Sequence, residues 1–339
     1  MEIVSVVLYP VILLLPFALY VLAPWAWERH KFLFYVSGYL PVAILAAMRG
    51  NVGTDTENYR QAFEIFSLAD YNPLSVDPIF GVLFAVTKVI GFGFNGFAFI
   101  HVSLCLLLYS FGASKIDRTL PLFGLLLLPI LFIDATFNGL RYGLAFAIAT
   151  VAMHYFVNSS SRFRVGYLLP PISAHSSLLV LIFLAPSVIV FALPFLLLLN
   201  VQDLLYFSYF AGKSESYSDF ARPGVFSGVM PLFQFMMLLL ISRINRIPFR
   251  LGVNLRTLGL LVFAAGLVTS AVSYAGLRVL QLGVFIMTIF VAQNLTTYRQ
   301  RTITTLLILT GLLSVANFLR QVFFVGPEGG VVFYPYEFF

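Results

Sequence analysis

The sequence predicts an all-α fold, a polytopic transmembrane bundle of about ten spans with further interfacial or re-entrant helices. Three observations predict it. Of 339 residues, 60% are hydrophobic and 10% charged, with a mean hydropathy of +0.95, whereas a soluble domain carries roughly 25% charged residues. The apolar residues come in runs too long for one face of a surface helix, and about 20 helical residues cross the ~30 Å hydrocarbon core. Only helices and closed barrels satisfy their backbone groups in lipid, and these runs are too long and too unalternating for barrel strands. The chain reads as one integral membrane domain, 1–339.

The first run, 3–22, lacks a basic leader region and a small-residue cleavage site, so it reads as a retained helix. Trp25 and Trp27, with Glu28, Arg29, His30 and Lys31, form an interfacial cytoplasmic turn, and a second span follows at 32–48. The stretch 49–78 is the most polar of the chain, and its Gly, Asn, Asp and Pro place it outside the membrane. Short basic clusters around Lys115, Arg164, Arg246 and Arg299 are expected on the cytoplasmic side. An odd number of crossings must separate an external loop from such a cluster, and this parity assigns the shorter apolar pieces. Segment 78–91, with Lys88, becomes an amphipathic helix on the membrane surface, and 96–111 crosses. Segment 186–201, with Pro186 and Pro194, becomes re-entrant or interfacial, while 165–185 and 226–241 cross. The other spans are 120–133, 141–156, 255–272, 280–296 and 303–319. Both termini then lie outside, with extracytoplasmic segments at about 49–95 and 202–224.

This topology collects charge on the outer face, against the usual bias of basic residues. Arg49, Asp55, Arg60, Arg141, Arg278 and Arg320 fall there, and His175 lies near it. An arginine at a span end ordinarily snorkels to headgroups, but two of these share a narrower pattern. Arg141 follows Asn138 and Gly139 and opens an apolar helix, where a cation opposes the macrodipole unless an anion compensates. Arg278 follows Tyr274 and Gly276 in the same way. Helix N-termini bind phosphate, so an arginine beside their N–H groups suits a diphosphate. Lys+Arg total 20, and Lys31, Lys88, Lys115 and Lys213 are the only lysines, so arginine predominates. Guanidinium forks bind phosphate bidentately.

His175 follows Pro170 and Pro171, and an ionisable group inside a span is a functional candidate, with a hydrogen bond to a neighbouring serine as the ordinary alternative. Segment 53–59 reads as a compact turn carrying Asp55, without phosphate-loop spacing. Tyr59, Tyr71, Tyr206, Tyr209 and Tyr217 are placed to stack on sugars or to anchor at the interface. The scattered histidines and single Cys105 point to no metal site, disulfide or cofactor. Much of the net charge of +6 sits in short loops, which argues against nucleic acid as a partner.

In order and spacing, the segments RGNVGTDTENY (49–59), DPIFGVLFAVTKVIG (77–91), FNGLRYGLAFAIA (137–149), AHSSLL (174–179), SYAGLR (273–278) and YPYEF (334–338) resemble the EpsG-like and Wzy-type polymerases of bacterial exopolysaccharide and O-antigen. The first of these is the most specific. The resemblance covers nearly the whole chain and implies a GT-C-like glycosyltransferase of the bacterial cytoplasmic (inner) membrane, with its active site facing the periplasm or exterior. Donor and acceptor are then oligosaccharide repeat units linked to undecaprenyl diphosphate, the lipid diphosphate is the leaving group, and no nucleotide sugar or metal takes part. Membrane lipids and a chain-length regulator are the implied partners. Carried onto this sequence, the resemblance implies His175 or Asp55 as catalytic base, and Arg141, Arg278 and Arg49 on the diphosphate. Tyr59, Asn138, Tyr274 and Arg320 are expected to contact substrate. One departure is that no basic cytoplasmic loop follows His175. The alternatives are an O-antigen ligase-type transferase and a transporter or flippase of lipid-linked sugars; charge gathered at one face favours a surface reaction over a pathway.

Overall fold

The computed structural model describes residues 9–50, 52–53, 55–69, 78–117, 123–124, 128–159, 166–175, 178, 181, 228–244, 255–270, 274–295, 305–306, 308–313 and 315–316. Among them the regular structure is helical: α1 (Tyr9–Ala47), α2 (Thr56–Ile65), α3 (Pro78–Val89), α4 (Phe94–Ile116), α5 (Leu128–Phe137), α6 (Leu140–Asn158), α7 (Leu169–Ala174), α8 (Val229–Ile244), α9 (Leu255–Ser270) and α10 (Tyr274–Asn294). Four stretches of the described residues are long and apolar enough to cross a membrane: His30–Ala47, Phe94–Ile116, Leu140–Asn158 and Gly276–Asn294. They contain most of the spans expected at 32–48, 96–111, 141–156 and 280–296. The chain is a helical membrane protein.

Two expectations need correcting. The interfacial turn at 25–31 is a kink between two helices and not a loop: the first helix runs on through 25–29 and the break falls at His30, whose φ of −137° and ψ of 39° leave the helical region. A continuing helix satisfies its own peptide groups where lipid cannot, so the break shrinks to one residue. Nor is 165–185 one continuous helix, since the described residues break at His175. Proline cannot continue a helix entered from upstream but suits its first positions. Pro170 and Pro171 therefore open α7, which ends after six residues at an extended His175 (φ −161°, ψ 132°).

Segment 78–91 also differs from its expected form. With 12 residues, α3 is about 18 Å long, too short for the hydrocarbon core. Phe80, Phe84 and Thr87 are buried, yet the outward face carries Val82, Val86 and Val89. The helix is apolar on both faces, so the polar face of an amphipathic helix is missing. Segments 186–201 and 202–224 lie outside the described residues.

The chain divides into two compact units, Met1–Leu178 with Ser314–Phe339, and Leu179–Leu313. In the first, α4 packs on α1 and α6, α6 on α5 and α7, and α3 on α4 and α7. Gly143 makes the α5–α6 contact possible, since a Cβ there would overlap the Ala135 backbone. An edge-to-face cluster joins α2, α3 and α4, with Phe63 to Phe84 at 5.2 Å, Phe84 to Phe97 at 4.7 Å and Phe80 to Phe97 at 5.5 Å. Such pairs add about 0.5–1.5 kcal/mol beyond area burial. Just past α4, buried Asp117 accepts bonds from Tyr35 Oη (2.5 Å) and the Phe123 and Gly124 N–H groups (2.7 and 3.3 Å), while Lys31 donates to its carbonyl. Burial pushes its carboxyl up to about 7, with the bonds and Lys31 acting against it. In the second unit α10 packs against α8 and α9, and Phe235 of α8 stacks on Phe263 of α9 at 4.0 Å.

Candidate functional site

The site is built where the loop 49–55 and α2 meet the turn between α5 and α6. Gly53 sits at φ +98° with its Cα against the Phe137 carbonyl, leaving no room for a side chain. Thr56 Oγ1 donates to Val52 O at 2.5 Å and lies 3.4 Å from Phe137 O. Arg49 is 1% exposed and donates through Nη1 to Ala46 O at 3.1 Å and to Thr136 O, with Phe137 beneath its guanidinium. The last carbonyls of a helix have no intrahelical partner, and a cation there is favoured by the dipole. Arg49 thus closes the C-terminal ends of α1 and α5 together, and the loop bearing Asp55 is tied to the turn that precedes Arg141.

Asp55 is the N-cap residue of α2, and its carboxylate makes no capping bond to that helix. One turn on, Tyr59 meets Arg141, whose guanidinium carbon lies 6.0 Å from the ring centroid. Burial pushes the Tyr59 hydroxyl above its usual range; Arg141, through its charge and hydrogen bonds, pulls it back, and Asp55 adds to the rise. Asp55, Tyr59 and Arg141 therefore form one electrostatic group. Tyr59 also packs on Phe80 at 5.6 Å, and Lys88 of α3 closes the far end of α2 by donating to Glu64 O (3.1 Å) and Phe66 O (2.5 Å).

Arg141 is half-buried in the first turn of α6, behind the N-cap Gly139. Asn138 turns back on α5: its N–H and that of Gly139 both donate to Asp134 O (3.0 and 2.8 Å), and its side-chain amide donates to Asp134 Oδ1 at 3.4 Å. Next to Arg141, the Tyr142 ring meets His175 edge-on at 5.8 Å. His175 is 7% exposed; its N–H donates to Pro171 O at 3.2 Å and its carbonyl accepts from the Leu178 N–H at 3.1 Å. Asp55, Tyr59, Asn138, Arg141 and His175 are thus gathered within the first unit, with Arg49 beneath them as a tie. Arg278 and Tyr274 belong to the second unit: Tyr274 opens α10, and the half-buried Arg278 lies one turn inside it, not at the helix start expected from the sequence. Arg320 lies outside the described residues. Among the described residues, no three His, Cys, Asp or Glu are grouped to hold a metal ion.

Sequence reasoning passed over Asp134 and Tyr142. Asp134 had a signal: it is the one acidic residue between Asp117 and Asp203, and a lone carboxylate in an apolar stretch marks a site. Tyr142 had none, because aromatic residues fill this chain.

Comparison with curated proteins and with solved structures gives no match. A family model described as EpsG family matches residues 32–338, nearly the whole chain and every element of the site above. With that coverage, the chain belongs to the EpsG family.

Proposed function

We propose that the protein is a polysaccharide polymerase, a membrane glycosyltransferase that joins oligosaccharide repeat units carried on a polyprenyl diphosphate at the outer face of the bacterial cytoplasmic membrane. Family membership supports the polymerase class. The observation that carries the chemistry is Arg141, held at a helix N-terminus with Tyr59 and Asp55 on one side and, through Tyr142, His175 on the other.

In the proposed reaction an acceptor sugar hydroxyl attacks the anomeric carbon of the donor. A C–O bond forms there, the bond to the diphosphate oxygen breaks, and its electron pair leaves on the lipid diphosphate. The hydroxyl proton passes to a base, His175 or Asp55. Arg141 and the N–H groups of α6's first turn face the charge that develops on the leaving group. Tyr59 and Asn138 contact substrate in this account. Arg49, also expected on the diphosphate, supports the site from the protein side in this reading, since its Nη1 donates to the Ala46 and Thr136 carbonyls.

The test replaces Arg141 with alanine or lysine in protein reconstituted with lipid-linked repeat units. Arg141→Ala should lower the polymerisation rate about 10²- to 10³-fold with the folded yield unchanged. Lysine should restore little, since the bidentate fork is lost. Full-length polymer at the wild-type rate from Arg141→Ala would remove Arg141 from the chemistry.

A further inference from the structure

On α4, His101, Cys105 and Tyr109 stand four residues apart on one buried face, and that face meets the first turns of α6. His101 Nε2 is 3.0 Å from the Leu140 carbonyl oxygen, so this nitrogen carries the proton and donates. Tyr109 Oη donates to Gly143 O at 3.0 Å. His101 Nδ1 is then an acceptor, and no hydrogen-bond partner meets it. Its ring lies between Phe80 and Phe97, with centroids 6.2 and 5.9 Å away.

Leaving a buried acceptor unpaired costs about 1–3 kcal/mol, and a phenylalanine would fill this aromatic site without that penalty. An imidazole serves here for what its other nitrogen holds, the carbonyl of the residue immediately before Arg141. On its far side the same turn is fixed by Gly143 against Ala135 of α5. Held from both sides, the first turn of α6 has one rotational setting, and that setting places Arg141 over Tyr59.

We infer that His101 is a positioning residue for Arg141, acting through the Leu140 carbonyl. Its catalytic consequence rests on the polymerase function proposed above; its structural consequence does not. The inference is tested with His101→Phe, which keeps the ring volume and removes the donor, and His101→Gln, whose Nε2 can reach the same carbonyl. Two readouts are taken in reconstituted protein: turnover on lipid-linked repeat units, and amide hydrogen exchange of α6's first turn without substrate.

His101→Phe should melt no lower than wild type, because it also deletes the orphaned acceptor. Its kcat should fall about tenfold or more, as expected for a displaced catalytic group, with KM less affected. Exchange in the first turn of α6 should accelerate, and His101→Gln should recover most of both. Wild-type turnover and exchange in His101→Phe would overturn the inference. So would a loss of turnover matched by an equal loss of folded protein, or a glutamine variant no better than phenylalanine. If wild-type protein makes no polymer, the functional proposal fails by itself, and the exchange measurement still decides the inference.

Discussion

Arg49 and Arg141 carry the same side chain and meet opposite ends of helices. Arg49 lies where the carbonyls of α1 and α5 run out, and its Nη1 donates to one from each helix. Arg141 lies where the N–H groups of α6 begin, so its charge adds to the dipole and favours an incoming anion. Arg49→Ala should therefore lower the melting temperature, with a loss on the order of 3 kcal/mol from charged hydrogen bonds to buried carbonyls. Arg141→Ala should leave it nearly unchanged; a thermal shift in detergent separates the two. From the sequence both were candidates for phosphate. The difference was not legible because Thr136, the partner of Arg49, is 87 residues away, and such a contact exists only once the fold brings α5 to the loop. Tyr59 was singled out by the motif it shares with Asp55, but not the helix α2 that sets the two one turn apart.

The elements divide along similar lines. Long apolar runs at 32–48, 96–111, 141–156 and 280–296 were legible because length and hydropathy alone decide them. The course of α1 through 23–29 and the brevity of α7 were not, because a proline pair or a charged cluster permits either a loop or a helix boundary. Close approach was equally hidden: Gly143 looks like any membrane glycine until α5 is laid against it. Gly143→Val should separate α5 from α6, since even a Cβ overlaps Ala135. The expected cost is about 1–3 kcal/mol or more from overpacking, read as a lower melting temperature with reduced polymer yield. Gly139→Ala is the control, because a Cβ there meets its nearest neighbour, Asp134 Oδ2, at 3.6 Å, an ordinary contact.

At the scale of the molecule, stability and function are fixed at different places in the first unit. Asp117, outside the spanning segments, joins α1 to α4 and to the chain at Phe123. Its carboxyl is raised by burial from 3.8 to about 7, so between those values the folded state holds a proton that the unfolded state has released. Its contribution is therefore complete below pH 3.8 and lost as pH rises through 7, a decline on the order of a few kcal/mol. Melting curves from pH 4 to 8 should fall with this slope, and Asp117→Asn should flatten it. The central claim is that this EpsG-family chain itself polymerises lipid-linked sugars, and it is tested most directly with purified protein in liposomes. Lipid-linked repeat units are supplied as the only sugar source, without nucleotide sugar, and the products are resolved by size. The account predicts a ladder of polymer with release of lipid diphosphate, absent with Arg141→Ala. Movement of the repeat units across the bilayer with no ladder would contradict it.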